Sequence, residues 1–435
     1  MADDTRTADG GSWAGVDEAF TRQVAAIGAT AEGRALAESH TVGDPALGKA
    51  RPLGLPLRLR PGLRAELEAL VAACTRMLEA VVTAWEHDPR LRRVLTVPEP
   101  LSALAAAARD TRVHLLRLDL LPQPDGRWGV LETNANGPGG LAVVGRARAA
   151  WRPLLTRHGI DLPRPLPADD ADWTGRWLLD LAERETGRRP DTVALLRPDR
   201  GGRNAVRSYE DGLRALGVRV LHADPRELRT GPDGGATLRG ERLRHAYAKI
   251  PLRDLQHLFG DLGPYLRAVR ERALFVQNGL RARLLGDNKL CLAVLSDPRF
   301  ADLFDPADHR LVQPAVPWSR NLALCDGPTV RRIARDRGHY VLKRPLGSNG
   351  HGVVVGPDTD AAAWADAVAL ATAEGWLVQE HLPSPRLRGG ADGSTAHHDV
   401  AVGAVDGRLV SAFVRTGHDA RLNIGLTGGL HPLYL

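Results

Sequence analysis

Lysine is nearly missing from this chain. Of 58 basic residues only four are lysines (Lys49, Lys249, Lys289 and Lys343), and the remaining 54 are arginines. Cysteine is equally sparse: Cys74, Cys291 and Cys325 lie far apart and outside any CxxC spacing. That excludes a disulfide framework and a cysteine-built metal site. No stretch reaches the roughly 18 uninterrupted apolar residues of a spanning helix. Met1 to Phe20 lacks the basic and apolar blocks of a signal peptide. These absences predict a soluble, cytoplasmic protein with no membrane partner. Aromatics make up only 5% and do not interleave with the arginines, so no base-stacking platform is expected and no nucleic-acid partner. Neither GxSxG nor HExxH occurs, which leaves serine-hydrolase and zincin chemistry without support. There is no internal repeat.

What is present is an ordinary globular balance. The 435 residues are 43% hydrophobic and 25% charged, with a net charge of +6, enough for two or three domains. The arginine load is spread along the chain and reads as coding bias. Where arginine fills nearly every basic position, a lysine suggests that a compact, rotatable ammonium is wanted. Lys289 and Lys343 stand in the two most motif-like segments.

The spacing of apolar residues predicts helices over Leu63–Trp85, Leu101–Arg112, Leu141–Trp151, Trp173–Glu185 and Ala361–Glu374. Strands are predicted at Val113–Leu121 and Trp128–Asn134, joined by the turn PQPDGR. The order strand (DTVALLRPD), helix (SYEDGLRALG), strand (Val218–His222) is a βαβ unit of a parallel α/β domain, with His245–Ile250 as a further strand. Gln277–Pro298 reads as a loop followed by a helix. Tyr340–Lys343 and Gly352–Val355 read as a hairpin around a glycine-rich turn, and Trp376–Gln379 as a short strand. Ser384–His398 reads as a loop. Strands around Asp399–Val405 and Leu409–Val414 then precede an irregular C-terminus.

Four segments carry chemistry. With the first turn centred between Pro124 and Asp125, Arg117 stands opposite Glu132, and Arg117, Asp119, Glu132 and Asn134 share one face. Leu116, Leu118, Leu120 and Leu131 then form the core face. Two carboxylates and a carboxamide oxygen suit Mg²⁺, a hard cation that often bridges to phosphates, and Arg117 adds charge for phosphoryl oxygens. A salt-bridged, solvated hairpin face explains the same residues. In YVLKRPLGSNGHGVVV, the amides around Gly347, Ser348 and Gly350 can close over phosphates while Lys343 reaches the same anion; a plain glycine hairpin is the alternative. Lys289 opens the helix of LLGDNKLCLAVLS. Gln379 and Glu380 end the strand of WLVQEHLP, where strand-end groups could receive an adenine and a ribose. His397-His398-Asp399 reads as structural, because adjacent histidines on a strand point to opposite faces.

Together these segments resemble the ATP-grasp superfamily, and more narrowly its circularly permuted members, such as the synthetase domain of glutathionylspermidine synthetase. The acidic Arg117–Asn134 segment precedes Lys289, Lys343 and Gln379-Glu380, which is the permuted order. The resemblance implies an α/β (α+β) ATP-grasp fold with a small pre-grasp α/β domain and a helical N-terminal region. Residues 1–112 would be that N-terminal region, partly mobile and then helical, and 113–172 the metal-binding part of the core. Residues 173–275 would be the pre-grasp domain, and 276–435 the nucleotide-binding subdomain and return to the core. It assigns Mg²⁺ to Asp119, Glu132 and Asn134, the transferred phosphoryl group to Arg117, the ATP phosphates to Lys289 and Lys343, and the adenine hinge to Gln379 and Glu380. Ser348-Asn349 replaces an Arg-Glu pair of that synthetase domain, and no amidase-like domain is present. The implied activity is ligation of a small-molecule or peptide carboxylate to an amine, with ATP and Mg²⁺. A small-molecule kinase and a non-catalytic nucleotide-binding protein are the alternatives. Arg203, Arg415 and Arg421, in loops near the site, are candidate substrate ligands. A homodimer is left open.

Overall fold

The structure, a computed structural model, describes residues 15–43, 50–123, 125–198, 206–347, 350–388, 395–418, 422 and 428–435. Its largest sheet runs in the order Leu57–Arg58, Gly429–Tyr434, Arg408–Gly417, Thr395–Val405, Leu115–Pro122, Trp128–Asn134, with Arg386–Arg388 pairing beside Thr395–Val405. Side chains alternate along each strand, so the two faces separate cleanly. One face presents Leu116, Leu118, Leu120, Val400, Val402, Ala412 and Val414 to the helix Leu63–Ala84. That helix buries Leu67, Leu70, Val71, Cys74, Met77, Leu78 and Val81 at three- and four-residue spacing. Burying each large apolar side chain contributes about 1.5–3 kcal/mol before entropy is counted.

The opposite face is divided. Leu115, Ala401 and Phe413 lie beneath the helix Leu141–Arg157. The same strands continue two and four positions on with Arg117, Asp119, Asp399 and Arg415, which line an open cleft. Where the helix stops covering the sheet, the sheet turns polar.

Two smaller sheets flank this one. Phe275–Val276, His245–Ala248, Thr192–Leu196 and Arg219–Ala223 form an all-parallel sheet. The helix Arg207–Ala215 makes the crossover between its last two members. Ser319–Asn321, Leu377–Glu380, Tyr340–Lys343 and Val353–Val355 form an antiparallel sheet. Its own core, with Leu342, Trp364, Val368 and Val378, packs under the helix Ala361–Glu374. Asp360 caps that helix by accepting from the Ala363 amide, and Gly375 ends it in the left-handed region. Among the described residues no helix is long and apolar enough to cross a membrane.

Five expectations need correction. Asp119, not Arg117, stands at the level of Glu132; Arg117 pairs with Asn134, and the register shifts between Asp119 and Leu120. Leu131 falls in that irregularity and lines the cleft instead of the core. The span read as a loop at 384–398 contains Arg386–Arg388 and the start of Thr395–Val405, and the C-terminus read as irregular is the strand Gly429–Tyr434. The loop expected after Gln277 includes the helix Leu280–Gly286, which buries Arg281 and Arg283.

Candidate active site

A cleft of about 390 Å³ opens between the polar half of the large sheet, the antiparallel sheet and the segments 135–139 and 249–252. Arg117, Asp119, Glu132, Asn134, Lys289, Lys343, Gly347, Gly350, Gln379, Glu380 and Arg415 all line it. Residues predicted from four separate segments are thus brought together. Ser348, Arg203 and Arg421 lie outside the described residues.

The acidic hairpin sets the floor. Its irregularity at Leu131 decides which side chains meet. Between Pro122 and Leu120 the pairing is Pro122 with Trp128 and Leu120 with Val130. Continued without a shift, that ladder would set Asp119 against Leu131 and Arg117 against Thr133. The extra residue restores Asp119 opposite Glu132 and Arg117 opposite Asn134. Four polar side chains then share one face, as the alternation predicted, by a different register.

Charge is densely paired there. Arg117 forks onto Asp119, with Nε 2.7 Å from Oδ1 and a terminal nitrogen 3.0 Å from Oδ2. Arg415 lies 2.9 Å from the same carboxylate and also holds Asp399, its cross-strand partner. Burial alone would raise the Asp119 carboxyl, but Arg117, Arg415 and the Asn134 carboxamide outweigh it and hold it at about 2. For Asp399 burial dominates and raises the carboxyl despite Arg415. Arg415, placed as a candidate substrate ligand, has its fork committed to two buried carboxylates.

The two lysines are held differently. The Lys289 ammonium lies 2.6 Å from Glu132 and donates to the Gly347 carbonyl at 2.6 Å. Burial opposes its charge, yet Glu132 and Asp287 raise it above the ordinary lysine value. The Lys343 ammonium donates to the Leu131 carbonyl at 2.9 Å and to the Gln379 carboxamide oxygen at 2.7 Å. Both partners are neutral. Burial therefore pushes Lys343 down to about 8, against the pull of Glu132 and Asp119 and with repulsion from Lys289. The buried Gln379 side chain in turn donates to the Ser319 hydroxyl at 3.1 Å, so its carboxamide serves Lys343, while the exposed Glu380 stands at the rim.

Apolar lining comes from Val341, Val353, Val355 and Leu346 around the glycine turn and from Leu121 and Leu131 of the hairpin. Gly350 and Gly352 take the positive φ values of 74° and 75° that this turn needs. Sequence reasoning missed Lys249, Asp287 and Asn136, which also line the cleft. Asp287 accepts from the Ala135 and Asn136 amides at 2.9 and 3.0 Å, and burial raises its carboxyl. Lys249, one of only four lysines, was the one of these that composition could have pointed to.

No family profile and no curated protein matches the chain. Among solved structures it is similar to a glutathione synthetase-like effector from Globodera pallida in its apo form. The identity is 12%, over 96% of this chain and 97% of that one, with a TM-score of 0.60. At that identity the likeness shows the fold: mixed α/β and ATP-grasp-like. A second match, to the ATP-grasp ligase PsnB complexed with minimal precursor, covers 54% of this chain and 91% of that one at 16% identity. Its TM-score of 0.25 carries no argument.

Proposed function

We propose that the protein is an ATP-dependent carboxylate–amine ligase with a circularly permuted ATP-grasp site, joining an amino acid, peptide or specialised metabolite to an amine. The observation that carries this reading is the convergence of Asp119, Glu132 and Asn134 with Lys289 and Lys343 around one cleft. The acid would attack the γ-phosphoryl group of ATP, giving an acyl phosphate and ADP. The amine would then attack the carbonyl, lose a proton and expel inorganic phosphate, so that one hard displacement becomes two easier ones.

The donor set fits Mg²⁺. Asp119, Glu132 and Asn134 offer oxygen only, and Asp119 remains an anion far below neutral pH. Among the described residues no group of three or more His, Cys, Asp or Glu side chains could hold a metal alone; Mg²⁺ commonly completes its shell with phosphate oxygens and water. Bound there, the ion would neutralise charge on the phosphates. The chain's own cations do the rest. Lys343, with no carboxylate partner among the described residues, would be available to the phosphates, and Lys289 would leave Glu132 for them as the cation arrives. Arg117 steadies Asp119 and would steady the transferred group in turn. Closure of the glycine-rich segment over the intermediate would exclude water.

The test is to incubate the full chain with ATP, Mg²⁺, hydroxylamine and a panel of amino acids and short peptides. A ligase converts the correct acid to a hydroxamate, with ADP and phosphate in equal amounts. A stable phosphorylated product without free phosphate would establish a kinase instead. AMP and pyrophosphate would indicate adenylation, and no ATP consumption across the panel would favour a non-catalytic protein.

A further inference from the structure

One corner of the cleft holds none of the residues assigned above to the nucleotide or the metal. Lys249 follows the strand His245–Ala248 of the parallel sheet, and Asn136 follows the acidic hairpin. Each side chain reaches the carbonyl of the residue after the other: the Lys249 ammonium donates to Gly137, and the Asn136 amide nitrogen donates to Ile250 at 3.0 Å. This reciprocal brace sets the two side chains next to each other on the cleft wall. Gly137 permits the close approach, since a Cβ there would meet the Tyr247 hydroxyl at 3.3 Å and the Lys249 Cδ at 3.4 Å.

Each of the two lacks a partner of the kind it needs. Arg117, Arg415 and Lys289 all pair with carboxylates. Among the described residues Lys249 pairs with none, although it is drawn partly out of water. The Asn136 carbonyl oxygen is buried without a hydrogen bond. A withdrawn ammonium without an anion and a buried acceptor without a donor both cost stability, and a ligand carrying the opposite groups relieves both. Lys343 is the cleft's other cation without a carboxylate, but the charges that bear on it are Glu132, Lys289 and Asp119. Those that bear on Lys249 are Arg117, Asp287 and Arg283.

We infer that this corner binds the α-amino-acid head of a substrate, its carboxylate on Lys249 and its ammonium at the Asn136 carbonyl oxygen, with Asp287 supplying negative charge beside the ammonium. The inference deepens the ligase reading and rests on it for the claim that the bound head belongs to a substrate.

Glycine is the smallest molecule with that head, acetate carries only its anion and methylammonium only its cation. Calorimetric titration of the full chain with each, alone and with Mg²⁺ and a non-hydrolysable ATP analogue, tests the site. Wild type should bind glycine saturably, acetate more weakly and methylammonium most weakly. Lys249→Met should weaken glycine at least about tenfold and leave the ATP analogue's affinity unchanged; Lys249→Arg should recover part of the glycine binding. No saturable glycine binding by wild type overturns the inference, and so does a Lys249→Met protein that binds glycine normally. A Lys249→Met protein that loses thermal stability and both affinities together reveals a brace for Gly137 and nothing more. Failure of wild type to bind the ATP analogue would instead sink the ligase reading and leave the glycine arm readable by itself.

Discussion

A single nitrogen joins the acidic hairpin to the glycine turn: Lys289 Nζ lies 2.6 Å from Glu132 and 2.6 Å from the Gly347 carbonyl. The Lys289 amide adds a backbone link, donating to Pro345 at 3.0 Å. A cation bound at Glu132, as proposed, would compete with Lys289 for that carboxylate and so loosen one of the two links that Lys289 makes to the turn.

Glu132→Gln tests that linkage. Glutamine keeps an oxygen for Lys289 but removes the negative charge. The expected cost in stability is about 1–3 kcal/mol, with turnover lower by roughly 10²-fold or more. Chemical denaturation and steady-state ADP release measure the two. Wild-type turnover would remove Glu132 from the metal set, and unfolding with intact nucleotide chemistry would restore the salt-bridged-face reading.

Gly352 is a point where the turn cannot accept a side chain. It has a φ of 75°, and a Cβ would lie 2.6 Å from the Arg344 Cβ, where the Arg344 amide donates to Gly352 at 2.7 Å. Gly352→Ala should cost about 1–2 kcal/mol from backbone strain alone and weaken ATP binding. Gly260→Ala, with open space around it, is the control for losing a glycine. Equal behaviour of the two variants would show that the turn adapts freely.

How much of this was readable beforehand follows from which signals the chain carries. Period-two alternation was enough to gather Arg117, Asp119, Glu132 and Asn134 on one face, yet nothing in the sequence announced the extra residue at Leu131 that makes the pairing work. Lysine scarcity pointed to Lys289 and Lys343 because each lysine is an exception. Arginine abundance did the reverse. Buried Arg281, which donates to the Ala105 and Ala106 carbonyls at 2.8 Å, looked like any surface arginine, so the helix Leu280–Gly286 read as a loop. Pro432, inside the strand Gly429–Tyr434, disguised the last strand, since proline argues against a strand interior.

Arg415 yields a third prediction. Its fork spans Asp119 and Asp399, both buried. Removing it in Arg415→Ala leaves two carboxylates without their shared cation, and breaking a buried pair in this way costs about 3–5 kcal/mol. Arg415→Lys should recover little, because an ammonium cannot reproduce the planar fork. Urea denaturation reads both. A stable Arg415→Ala protein whose only defect is substrate affinity would return Arg415 to the role of substrate ligand.

The Lys343 ammonium supplies a pH dependence with a definite sign. Its value in the folded protein is about 8 against an ordinary 10.5, through burial with only neutral hydrogen-bond partners. In the ligand-free protein the unfolded chain holds this proton longer than the folded one. Stability should therefore rise as pH passes from about 8 toward the ordinary lysine range. Nucleotide binding should run the other way. Phosphate needs the ammonium, so ATP affinity should fall by about tenfold for each unit above about pH 8. Glu132, Lys289 and Asp119 face the same group, but Lys289 is held charged beyond that window by Glu132 and Asp287, and Asp119 is ionised throughout it. Lys343→Arg gives the decisive comparison: a guanidinium does not titrate there, so that variant should bind ATP more weakly near neutrality yet show a flat profile. A falling profile in Lys343→Arg would assign the titration to another group and remove Lys343 from the phosphate site.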